Sequence, residues 1–243
     1  MRKFLILFLF LTLGATSAQE WNIPDDSRQL VVVCSSSWND TTGQMVRYQR
    51  SSEQDTWKKV GKPVRINLGR TGLAWGSSPL MKEPAKNRKK EGDGRAPAGL
   101  FPILRAFGHP SPPEGYSERN LEFLTITDEQ CVDDVDSEHY NTIVRPDKVG
   151  GVSWDSAEKM KIGVYRLGLV IGHNCPDAAP AMGSCIFFHY ESGPGVPTAG
   201  CTSMAKDSLK TLVLWLDRDS NPVLLQLPLS VYRSLEGEYP DFP

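Results

Sequence analysis

The chain has 243 residues, and its 27 Lys and Arg nearly balance its 29 Asp and Glu. A net charge of −2 is too mild to draw the chain to nucleic acid or to an anionic membrane, and neither partner is expected. Five cysteines leave one over if the others pair, which draws attention to a single reactive thiol.

Residues 1–18 read as an export signal. Arg2 and Lys3 precede an apolar run from Phe4 to Leu13, and small residues end at Ala18. The run is too short to span a bilayer, and no second long apolar segment occurs after it. The mature form is therefore expected outside the cytoplasm with no integral membrane segment. Without Arg2 and Lys3 the charges become 25 basic and 29 acidic, a balance of −4. About 225 residues remain, enough for one sizeable core or two small ones, and one domain over 28–243 is expected.

Gln29 to Val33 is a β-branched run that predicts a strand. Met45 to Arg50 alternates weakly, and Trp57 to Leu68 offers one or two strands broken at Gly61 and Pro63. The succession predicts an antiparallel meander. The Gly-rich stretch Gly69–Ser78 has neither the spacing nor the ending of a phosphate-binding loop. Lys82 to Arg95 holds six basic residues and is expected to be a solvated loop or a rim for substrate carboxylates. Strands are expected at Gly99–Ala106 and Leu121–Thr127. The acid-rich stretch Asp128–Glu138 has no calcium-loop spacing and reads as a structured loop. Val164–Ile171 and Asn221–Leu227 are two further apolar strands.

The stretch Ser184–Leu216 carries the chemistry. An apolar segment from Cys185 to Tyr190 contains His189, a Gly/Pro-rich loop comes after it, and Cys201 comes next. Leu209, Leu212, Val213 and Leu216 recur at helical spacing, with Ser203 expected as N-cap. Cys201 would then sit before a helix N-terminus, where a thiolate is favoured. With His189 close, the two form a nucleophile–base pair, and backbone amides at Gly200 and Cys201 would face the oxyanion. His173, Thr198 and Ser203 are the other candidates for the pocket, and His173 is the rival base. If Cys201 is free, Cys34, Cys131, Cys175 and Cys185 have three possible connectivities. Cys175–Cys185 with Cys34–Cys131 is expected, since the first closes a short loop. Zinc on His173, Cys175, Cys185 and His189 is the metal alternative, but the spacing is unusual and an exported chain would oxidise the thiols. No metal and no cofactor are expected.

His189 with Thr198-Ala199-Gly200-Cys201, and the upstream segment Glu91–Phe101 (EGDGRAPAGLF), resemble the active-site motifs of the L,D-transpeptidase (YkuD-like) family. Ala199 stands where that family's box has His, Ser203 where Asn or Arg is usual, and the His-to-Cys gap is short. Cys131-Val132-Asp133-Asp134 with Tyr140-Asn141 also resembles a segment of some members. The resemblance implies a mainly β, β-rich α+β fold, with mixed sheets in a sandwich or barrel-like arrangement and one substantial helix after the nucleophile. It implies a cysteine acyltransferase acting on peptidoglycan stem peptides in the periplasm or cell envelope, with a backbone carbonyl orienting the His. The alternatives are an L,D-carboxypeptidase or amidase-like hydrolase, and a wall-binding module without catalysis. The sequence leaves the oligomeric state open.

Overall fold

A computed structural model of the chain describes residues 23–82, 84 and 86–235. The expected export signal over residues 1–18 lies outside them. In chain order the strands are β1 (Gln29–Ser35), β2 (Thr42–Gln49), β3 (Lys58–Asn67), β4 (Leu73–Trp75) and β5 (Ala96–Gly108). The short β6 (Phe123–Thr125), β7 (Gln130–Val132), β8 (Ile143–Val144) and β9 (Ala157–Lys159) come next. After them are β10 (Leu167–Ile171), β11 (Phe187–Tyr190), β12 (Thr202–Met204), helix α1 (Lys206–Trp215), β13 (Val223–Pro228) and the one-turn α2 (Leu229–Arg233).

Eight strands close on themselves in the order β10-β11-β12-β3-β2-β1-β13-β5, because β5 also pairs with β10. Closure removes the unpaired edges that an open sheet would present. The expected meander β1–β2–β3 is there and antiparallel, while β13 enters beside β1 in parallel. β1 is buried at all seven positions, as expected of a strand covered on both faces. The anticipated break in the third strand is absent. Gly61 takes φ +76° within a continuous β3, and the mismatch is absorbed by a register shift opposite Met45–Arg47 of β2.

The thirteen residues of β5 serve four neighbours: β13, β10, β4 and β6. At its bend Gly99 has φ +145°, and a Cβ there would lie 2.4 Å from Met81 Sδ, so glycine is needed for conformation and for room. Helix α1 packs against β10 and β11 and buries Leu209, Leu212 and Val213. Each such side chain contributes roughly 1.5–3 kcal/mol relative to exposure. The Asn120 amide finishes the helix by donating to the carbonyls of Leu214 (3.0 Å) and Leu216 (2.9 Å).

A second sheet of three strands, β8-β7-β9, carries the acid-rich stretch. A disulfide from Cys131 in β7 to Cys185, just before β11, fastens it to the barrel. This corrects the expected pairs. Cys34 is buried in the large barrel core, whereas Cys131 belongs to a separate small cluster with Cys185 and Cys201, so Cys34 and Cys131 cannot meet. Cys34, Cys175 and Cys201 are free.

The helix start also differs from expectation. Ser203 is in β12, paired with His189 and Asn67, and Ala205 is the N-cap residue of α1. Thr202–Met204 is taken up by the ladder that closes the ring. Cys201 thus precedes a strand, and the helix dipole does not act on it at close range.

Candidate active site

β11 and β12 are parallel neighbours, with Phe188 opposite Thr202 and His189 opposite Ser203. Cys201 immediately precedes β12, so it arrives beside the strand that carries His189. Thr198 holds the turn into Cys201. Its hydroxyl donates to the Cys201 carbonyl (2.6 Å) and accepts from the Gly200 amide (3.1 Å). Its backbone is tied to Leu68 and Arg70, each at 2.9 Å. Thr198 therefore builds the turn and does not line the pocket.

His189 and Cys201 line one cavity of about 180 Å³, together with Ala199 and Gly200. His189 Nδ1 lies 2.8 Å from the Tyr190 carbonyl. Since that oxygen only accepts, Nδ1 carries the proton and Nε2 is left as the base. Burial moves the imidazole below its ordinary pKa, against a smaller opposing pull from the Tyr190 carbonyl. The Cys201 sulfur accepts from the Phe187 amide at 3.3 Å, and its S–H faces the Cys185 carbonyl at 3.4 Å. Burial, and next the Glu158 carboxylate, push the thiol up to about 12. Both directions favour neutral thiol and neutral imidazole. The resting pair is not a preformed thiolate–imidazolium.

The Gly200 N–H is engaged by Thr198, so of the two amides expected to face an oxyanion it is the Cys201 N–H that has no hydrogen-bond partner among the described residues. Ser203 is 1 % exposed and its hydroxyl accepts from Asn67 at 3.3 Å; it stands outside the cavity. His173 also lies outside it. Its Nδ1 accepts from the Ser77 amide at 3.2 Å and its Nε2 donates to the Met182 carbonyl at 3.0 Å. Burial, with Lys89 adding to it, drives His173 down to about 3. Both ring nitrogens are engaged, and neither is open to take a proton from Cys201. Of the alternative zinc ligands, Cys185 is oxidised. No group of three or more metal-ligating side chains occurs among the described residues.

The cavity wall contains groups that sequence patterns do not single out. Tyr165 donates to Glu158 at 2.6 Å and meets the His189 ring edge-on, with centroids 5.2 Å apart. Lys89 belongs to the basic stretch expected to be solvated, yet it is 3 % exposed. Asp93 accepts from its ammonium and from the Arg95 amide at 2.9 Å, and from the Lys90 amide at 2.8 Å. The EGDGR segment is thus a turn folded around Asp93, and it aims Lys89 into the cavity.

Glu91 of the same segment accepts from Tyr140 (2.6 Å) and Ser184 (2.7 Å). Asn141, at φ +60°, donates to the carbonyls of His173 (3.0 Å) and Asn174 (2.8 Å) and accepts from the Cys185 amide at 2.9 Å. Three distant stretches of chain are knotted together behind Cys185. In the sequence this turn shows as the i,i+4 spacing of Lys89 and Asp93 beside Gly92 and Gly94, overlapping the Glu91–Phe101 segment already singled out by its resemblance.

Comparison with protein-family models, with curated proteins and with solved structures finds no match to this chain.

Proposed function

We propose that the chain is an exported cysteine acyltransferase similar to L,D-transpeptidases, acting on peptidoglycan stem peptides. The observation that carries this reading is that Cys201 and His189, whose tautomer is set by the Tyr190 carbonyl, line one cavity. Because the resting pair is neutral, proton transfer accompanies attack. His189 Nε2 takes the thiol proton as sulfur adds to the carbonyl between an L-configured centre and a D-residue. The Cys201 N–H faces the oxyanion. Collapse forms the thioester, and the imidazolium returns its proton to the departing D-residue amine. An acceptor amine then attacks the thioester, gives its proton to Nε2, and the thiol is regenerated.

Hydrolysis is the second reading. It is favoured by Ala199, a small side chain in the cavity wall that leaves room for water. Ser203 lies outside the wall and adds nothing to it. Incubating the protein with tetrapeptide muropeptides, with and without a D-amino acid, separates the readings by product mass. Exchanged or cross-linked products, absent with Cys201→Ala, support transfer. Tripeptide plus water, unaffected by excess amine, supports the hydrolase. Binding of muropeptide with no turnover leaves a wall-binding module.

A further inference from the structure

Lys89 is the buried cation of the cavity, and the acyl-transfer steps do not use it. Its side chain is only 4 % exposed. The stem passes beneath Gly183, where a Cβ would lie 2.8 Å from Lys89 Cε. The ammonium stands 3.7 Å from where a Cβ on Gly200 would be, so it reaches the backbone immediately before Cys201. An ammonium has three N–H donors. One goes to Asp93 Oδ1 at 2.9 Å and one to the Lys90 carbonyl at 3.3 Å. The third has no acceptor among the described residues.

Arg70 lines the same cavity. Its side chain runs along Gly94 of the turn that holds Lys89, and Nη2 faces the Gly92 carbonyl at 3.4 Å. No carboxylate pairs with it among the described residues. The acids of the cavity, by contrast, each have a hydroxyl donor already. Glu91 accepts from Tyr140 and Ser184, Glu158 from Tyr165, and Asp133 from Ser156. Unused donors therefore gather on the cationic side, and a carboxylate is the group that satisfies them. We propose that Lys89, with Arg70 at the rim, binds the free carboxylate of the D-residue that the reaction expels. The pair so selects peptides that end one residue past the attacked carbonyl. The proposal rests on the acyl-transfer reading for the identity of its ligand. That carboxylate is one residue, about 3.8 Å, beyond the carbonyl whose oxygen faces the Cys201 N–H. Lys89 meets the chain at Gly200, one residue from that same N–H.

The test is calorimetric binding of a tetrapeptide muropeptide, and of the same peptide as its C-terminal amide, to the full chain carrying Cys201→Ala. The acid is expected to bind at least about tenfold more tightly than the amide, as one charge-assisted hydrogen bond gives. Adding Lys89→Met keeps the stem and removes the charge, and is expected to bring the two affinities within about threefold of each other. Equal binding of acid and amide, or binding of neither, overturns the proposal. So does a preference that survives Lys89→Met in a variant that melts like the parent. If Lys89→Met does not fold, Arg70→Gln at the exposed rim decides: a preference reduced at least about threefold supports the site, and an unchanged one overturns it. Muropeptide turnover by the parent chain is measured separately. Turnover without a preference that depends on Lys89 removes this proposal and leaves acyl transfer standing. Such a preference in a parent that never turns over muropeptides leaves the carboxylate site and removes the transfer reading.

Discussion

Replacing Cys131 and Cys185 together by Ala tests how far the small sheet depends on its bridge. The bridge spans 54 residues of sequence. Tying a loop of that length restricts the unfolded chain by about 4 kcal/mol at 25 °C. In a domain of this size each kcal/mol moves the melting temperature by about 2–4 °C, so a fall of roughly 8–16 °C is expected. The site should respond as well. The Cys185 carbonyl faces the Cys201 thiol, and its amide is held by Asn141, so loosening this segment frees one wall of the cavity. Calorimetry of the double variant, with muropeptide turnover at a temperature where it stays folded, reads both effects. A melting temperature within about 2 °C of the parent would refute the loop-closure reasoning. Full turnover in the folded variant would show that Asn141 and Glu91 hold the wall without the bridge.

Two further outcomes concern the histidines. Since burial holds His189 below its ordinary value, and an imidazolium cannot accept the thiol proton, activity should persist as pH falls past about 6.5 and be lost only below it. His189→Gln should lower turnover by at least about a hundredfold, and an acid limb above a pH of about 7 would contradict this assignment of the base. His173 is neutral in the fold down to about 3, but takes a proton near 6.5 when unfolded. Its contribution is complete above about 6.5 and falls by about 1.4 kcal/mol per pH unit toward about 3, roughly 2 kcal/mol by a pH of about 5. Urea midpoints at these pH values should differ less in His173→Gln than in the parent, and an equal slope in both would exclude His173 as the source.

The His189–loop–Cys201 core of the candidate site is legible in the sequence because a strand, a Gly/Pro loop and a cysteine lie consecutively in the chain. The long strands are legible for the same reason, as runs such as Val31–Val33 announce themselves locally, whereas the short β4, β7, β8 and β9 have no such run and are not expected. The segment after Cys201 defeats a local reading, because Thr202–Met204 has strand identity only through partners far away, in β11 and β3. The disulfide is hidden likewise. Proximity of Cys175 to Cys185 in sequence favours one bond, and the docking of β7 against the barrel selects another. Tyr165 and Glu158 carry no motif, and come to line one cavity with Cys201 only after the small sheet is in place. Lys89 is lost in a basic run because hydropathy does not tell a cation folded back on Asp93 from one in water.

The pins on Thr198 have an implication for how freely the reactive loop can change. Leu68 and Arg70 grip its backbone, Gly69 bridges to it, and β12 continues directly into the ladder beside β11. The tip between Gly193 and Pro197 lies upstream of all these anchors, and Asn67 secures its start through the Gly193 carbonyl and the Gly195 amide. Where Cys201 stands is therefore decided by the barrel seam and not by the number of residues separating it from His189. Lengthening or grafting that tip, whose residues stand outside the cavity lining, should leave the sulfur and the imidazole in register. A short tip and a long one are then equally compatible with the same placement of Cys201 beside the strand that carries His189.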